Sequence, residues 1–310
     1  MRLRTIAFAG ALAAGASAVP AAAGATTVPP TEPTESAAES EATAADESTV
    51  PVGTIPDPAE CAEGLTLEEG TLTIATGEPA FPPYVIDDDP TSGEGFEAAV
   101  AYAVAGQLGF ADEDVEWVRT PFDAAIQPGP KDFDFNLQQF SISEERLEVV
   151  SFSVPYYTST QAIVATADSP AAGATTLADL QGLRLGVAAG TTSLALVEDV
   201  IQPTEDVQVF NTNADAVQAL STQQVDGLVV DLPTALFLAT VEIDGGVVVG
   251  QFPAVDAAPG EDWGLLFEKD NPLVECVDYA LLRLRESGEL EEITTTWMEE
   301  ATEVPVFDLE

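Results

Sequence analysis

Two patterns of apolar spacing alternate along the chain from residue 72 onward. Short runs of strand type stand at LTIAT (72–76), VEWV (115–118) and 133–137. Between the first two, residues 96–108 carry apolar side chains at helical spacing and stop at Gly109. After Ala165 a second set begins, with strands at 183–187, 207–210 and LVVD (228–231). Helices start at about Ser193, after Gly190-Thr191-Thr192, and run through 214–220. Two more, 273–285 and 290–298, follow the run WGLLF (263–267). Strands alternating with helices predict parallel sheets with crossover helices, here twice over. The chain is then expected to pass between two lobes near 160–165 and again near 259–265, which makes a hinge. Ligands of open α/β sheets bind at the carboxyl ends of the strands.

Ahead of this region the pattern is lost. Residues 24–60 are rich in Thr, Pro, Glu, Ala and Ser without apolar periodicity, and read as a disordered acidic linker. Residues 1–23 read as a signal peptide: Arg2 and Arg4, an Ala-rich apolar stretch, then small residues at 21–23. A membrane helix is the alternative, but the stretch is short and breaks at Pro20. No cysteine follows it closely, so the chain is expected to be exported, periplasmic or extracellular, without an obvious lipid anchor. Residues 301–310 read as an acidic tail.

Composition narrows the function. The 310 residues hold 54 acids, nine Lys and Arg and no histidine, for a formal charge of -45. Nucleic acid and anionic membrane surfaces both require clustered cations, so neither is expected as a partner. The negative field suits solubility and a saline medium, and salt screens it beyond about 10 Å. With no histidine, metal coordination falls to carboxylates and carbonyls; the run Asp87-Asp88-Asp89 lacks EF-hand spacing and reads as a solvated turn. No metal or cofactor is expected. Cys61 and Cys276 are the only cysteines. In an exported chain they read as one disulfide, with two free thiols as the alternative.

Outside the leader, seven basic residues remain, and Arg146 stands out in SISEERLEVV (141–150). Ser141 or Ser143 can cap a short helix there, with Glu144 and Glu145 in its first turn. On that helix the neighbours of Arg146 three and four residues away are Ile142, Ser143, Val149 and Val150, none of them acidic. A guanidinium so placed at the end of a strand suits a planar anion held bidentately. A tertiary acidic partner is the other explanation.

Five stretches, GFEAAVAYAV (95–104), SISEERLEVVSFSVPYY (141–157), LADLQGLRLGVAAGTTS (177–193), VDGLVVDLPTA (225–235) and RESGELEEITTTW (285–297), resemble in order and spacing the bacterial extracellular solute-binding proteins that serve polar amino-acid ABC transporters. The resemblance covers about residues 70 to 300. It implies an α/β, two-lobe periplasmic-binding-protein fold, each lobe a mostly parallel sheet flanked by helices, joined by a two-strand hinge. Lobe 1 would comprise 61–162 plus 262–300, and lobe 2 163–261. It further implies that Arg146 clamps the α-carboxylate of a free amino acid, with Ser141 and Thr192 adding hydroxyls and N–H groups, and that Asp231 accepts from the α-ammonium. Phe81 and Phe122 match aromatic residues that sandwich the ligand. Glu78, or equally Gly77, takes the place of an acid facing the ligand's side chain.

The sequence departs from the family at three places. Gln139 replaces a small residue and puts an amide toward the pocket, while Ala188 and Val230 replace polar or cationic ones. An acidic ligand lacks a lysine or histidine partner, so a polar uncharged or a basic amino acid is favoured. The protein is then expected to be a monomer that closes on its ligand and delivers it to an ABC permease, with no chemistry of its own. A dehydratase-like enzyme on the same fold, or a ligand-sensing surface domain, is the alternative. The absence of histidine removes the commonest general base.

Overall fold

The computed structural model describes residues 55–254, 261–298 and 304–309. The signal-peptide segment and most of the linker lie outside them. The described chain starts earlier than the pattern implies. Ile55 and Pro58 are buried, and Asp57 caps helix α1 (Pro58–Ala62) by accepting from Ala59 N. Residues 55–60, expected as linker, therefore belong to the folded body. Arg283 holds them by donating to Pro56 O at 3.0 Å.

Lobe 1 follows. Strand β1 (Leu72–Gly77) is buried along its whole length, and α2 (Phe96–Gln107) covers it with a face that includes Phe96, Val100 and Val104. Strand β2 (Val115–Thr120), helix α3 (Phe122–Ala125), strand β3 (Phe135–Asn136), helix α4 (Glu144–Leu147) and strand β4 (Val150–Phe152) complete the first passage. Strand β5 (Tyr157–Ser159) then leaves the lobe.

Lobe 2 comprises β6 (Gln161–Thr166), α5 (Leu177–Leu180), β7 (Leu185–Ala188), α6 (Thr192–Ala195), β8 (Gln208–Phe210), α7 (Asn213–Ser221), β9 (Gly227–Asp231), α8 (Leu232–Phe237) and β10 (Gly246–Gln251). The chain returns through β11 (Glu261–Trp263), which pairs antiparallel with β5 in the register Glu261 to Ser159 and Trp263 to Tyr157. This ribbon is the hinge. Strand β12 (Leu266–Glu268) and helices α9 (Leu273–Ser287) and α10 (Glu289–Trp297) finish lobe 1. Cys61 of α1 is bonded to Cys276 of α9, closing a separation of 215 residues.

The sheets run β2-β1-β3-β12-β4 and β10-β6-β9-β7-β8. Each holds two parallel and two antiparallel pairings. The antiparallel members have a physical cause. Strands β6 and β12 enter their sheets from the hinge, at the end where the parallel strands finish, so they must run the opposite way.

The segment expected as an acidic tail is a structural part of lobe 2. Phe307 is buried in its core against Phe252, at 5.0 Å between ring centroids. Gln251 N donates to Pro305 O, and Phe307 N returns a bond to Gln251 O. A Cβ on Gly250 would lie 2.8 Å from the Phe307 ring, so only glycine leaves room for it. The sequence pattern misses this because a six-residue segment carries no period.

Phe307→Ala is expected to lower unfolding stability by about 3–5 kcal/mol, read from denaturant midpoints; an unchanged midpoint would return the segment to the status of a tail. Replacing both cysteines by serine removes the constraint on the unfolded chain and is expected to cost up to about 5 kcal/mol, read in the same titration.

Candidate functional site

A cavity of about 140 Å³ lies between the lobes, at the carboxyl ends of β1, β7 and β9. Its wall includes all eight residues singled out from the sequence: Glu78, Phe81, Phe122, Gln139, Ser141, Arg146, Thr192 and Asp231. Gly77 lines it as well, so the two candidates for the acidic place share one wall. Ala188 is part of the lining, whereas Val230 is buried in the core of lobe 2 with Leu228 and Leu232.

Arg146 is brought there by a short turn. Ser143, not Ser141, caps α4 and accepts from Arg146 N at 3.2 Å. That leaves the Ser141 side chain free of capping. The guanidinium is buried, with its carbon 5.5 Å from the centroid of the Phe122 ring, which in turn stacks on Phe140. It donates to Ser141 O at 2.7 Å and to Gly190 O at 3.0 Å. The second bond crosses from lobe 1 to lobe 2. Among the described residues the ion pairs are Arg119–Asp88, Arg184–Asp226 and Arg283–Asp57, and Arg146 is in none of them. Burial draws its pKa down, while the charges of Glu261, Asp231 and Glu145 push it back up. A guanidinium has five N–H groups; one on each terminal nitrogen is taken by a carbonyl, and the residue lines the cavity.

The Ser141 and Thr192 hydroxyls meet across the cleft at 3.5 Å. Thr192 opens α6, after Gly190 takes a φ of +73° and Thr191 bonds back to Ala188 O at 2.8 Å. Both hydroxyls donate to one carboxylate, that of Glu261 on the hinge strand, with Thr192 at 2.6 Å. Ser141 is held beside the hinge by a bridge to Trp263 and by Ile142 N donating to Asp262 O at 2.8 Å.

On the opposite wall Asp231 stands at the N-cap of α8 without using its side chain to cap it. The carboxylate accepts instead from Gln161 Nε2 at 2.8 Å, and Gln161 Oε1 accepts from Ser193 Oγ at 2.6 Å. Burial pushes the Asp231 carboxyl well above the usual range, Glu261 adds to the rise, and Arg146 and Gln161 oppose it. Tyr84 closes the rim by a 2.8 Å bond from lobe 1 to Thr234 on α8.

Gln139 lines the cavity, and its amide nitrogen is engaged by Glu97 there. With φ at +50°, its backbone N donates to Glu97 at 2.7 Å and its side-chain nitrogen to the other oxygen of the same carboxylate. Tyr156 also donates to Glu97. Burial raises the pKa of Glu97 to about 7 against the pull of these three bonds.

Glu97 and Glu261 are among the site residues that sequence reasoning passed over. Glu97 carried a signal, being the one acid within the otherwise apolar helical run that starts at Phe96. Glu261 carried none, because it is one of 54 acids and its neighbours Ser141 and Thr192 are 120 and 69 residues away.

Comparison with known proteins agrees with this geometry. Residues 72–300 match the family of bacterial extracellular solute-binding proteins, family 3. A probable amino-acid ABC transporter periplasmic-binding protein of Sinorhizobium fredii is 29% identical over 249 residues, 76% of this chain and 80% of its own. The L-cystine-binding protein of Escherichia coli is 28% identical over 233 residues, covering 74% and 83%. Among solved structures, an ancestral arginine-binding protein bound to arginine superposes with a TM-score of 0.62 at 31% identity, over 74% of this chain and 99% of that one. With the family pattern matched over most of its length, the two-lobed body and the interlobar cavity in place, the chain belongs to the bacterial extracellular solute-binding proteins of family 3.

Proposed function

We propose that this protein binds a free basic amino acid outside the cytoplasm by closing its lobes, and delivers it to an ABC permease without chemical change. The observation that carries the reading is Arg146, a buried guanidinium that lines the cavity and stands outside every ion pair of the described residues. It takes the α-carboxylate bidentately. Ser141 and Thr192 flank it, and Asp231 takes the α-ammonium. Arg146 of lobe 1 meets the carboxylate and Asp231 of lobe 2 the ammonium, so a zwitterion bridges the lobes and rewards closure.

The side chain then lies between Phe81 and Phe122 toward Glu78. A positive side chain is favoured because Glu78 and Asp123, besides the Asp231 that takes the ammonium, line the cavity, and Arg146 is the one basic residue among the described residues of its lining. The arginine bound by the ancestral structure supports the same class. The protein acts as an exported monomer.

Calorimetric titration of refolded protein with the common amino acids is expected to give tight binding of L-arginine or L-lysine and none of L-glutamate; binding of none of them would overturn the reading. Arg146→Ala is expected to weaken binding by at least 30-fold, from a loss of about 2–5 kcal/mol, with far-ultraviolet circular dichroism unchanged. Asp231→Asn is expected to weaken amino acids more than their des-amino analogues, and equal losses for both would remove the ammonium assignment.

A further inference from the structure

A hydroxyl has one proton to donate. The Ser141 and Thr192 hydroxyls both direct theirs to Glu261. These are the two side-chain donors that flank Arg146 at the cleft, and a second carboxylate cannot receive the same protons. Glu261 reaches them from the hinge, where its backbone is fixed by pairing with Ser159. It is not an ion-pair partner of Arg146, yet it lies close enough to act on that guanidinium and on Asp231. Two hydroxyls of the cavity wall are therefore already held by a carboxylate tethered to the hinge, on donors that would serve a ligand's carboxylate.

We infer that Glu261 is a specificity-determining residue, a built-in carboxylate that competes with the carboxylate of an amino acid for Ser141 and Thr192. The inference rests on the reading of Arg146, Ser141 and Thr192 as the anion end of the site. An amino acid must move Glu261 aside to gain both hydroxyls, and it does so against the repulsion of two like charges. An amine of the same shape without the carboxylate has no such competitor. It leaves Glu261 on the hydroxyls and near Arg146, so the guanidinium keeps a counter-charge, while the cation of the ligand meets Asp231. The site consequently discriminates against the amine less than a pocket without this residue would.

The pair L-arginine and agmatine, the same molecule without its carboxylate, reads this directly. Both are titrated by calorimetry into wild type, Glu261→Ala and Glu261→Gln. Glu261→Ala is expected to tighten L-arginine by about tenfold and to weaken agmatine by a similar factor, which shifts the ratio of the two affinities about a hundredfold. Glu261→Gln, which keeps the length and an acceptor oxygen but not the charge, is expected to move both in the same directions by less. Appearance of arginine binding in Glu261→Ala alone would also support the competition. If wild type binds L-arginine and the alanine variant weakens it, or leaves the ratio unchanged, Glu261 acts as a hinge or ligand contact and the inference falls alone. If neither wild type nor either variant binds L-arginine or any other common amino acid, the anion end has been misread and both proposals fall.

Discussion

Burial of the Arg146 guanidinium constrains the rest of the site. Taking a charge out of water costs several kcal/mol unless hydrogen bonds replace its hydration. Here two carbonyls, one from each lobe, and the face of Phe122 provide part of that replacement. They neutralise nothing, so the positive charge remains to be balanced at a distance by Asp231 and Glu261. In a chain of formal charge -45 the problem is to keep carboxylates from collapsing onto this guanidinium. Local structure contributes to the solution. Ser143 caps α4, which places Glu144 and Glu145 in the first turn, near the positive end of the helix. The hinge register contributes as well, holding Glu261 on the hydroxyls beside the guanidinium rather than on it.

The two sides of the cleft divide the electrostatic work unequally. Asp231 is tied through Gln161 to Ser193, and Glu97 is tied to Gln139 and Tyr156. Both carboxyls are pushed upward by burial. These bonds fix their orientation before any ligand charge arrives, and preorganisation of this kind reduces the ordering cost of binding. The guanidinium is fixed by backbone carbonyls, and Asp231 by a side-chain relay through Gln161 to Ser193.

Much of this was legible from residue order. Strand and helix periods located β1, α2, β9 and α9 closely, because each is a local apolar run or stripe buried over most of its length. Local spacing also cleared Arg146 of acidic neighbours, and that spacing is preserved in the turn. What the pattern missed is of long range. The antiparallel strands β6 and β12 owe their direction to the path through the hinge, and no period records a path. Phe307 lies in a segment too short for a pattern, and its partner Gly250 reads as an ordinary strand glycine until the ring above it is seen. Val230 was taken for a pocket residue and faces the core, since the two sides of a fully apolar strand cannot be told apart by hydropathy.

The placement of Phe307 has a consequence for how the molecule is completed. Lobe 1 lacks β12, α9, α10 and the Cys61 crosslink until the chain has passed residue 297. Lobe 2 lacks the ring that fills its core until residue 307. A chain emerging from its N-terminus can therefore finish neither half before residues 297 to 307 are made, and both become whole within that short stretch.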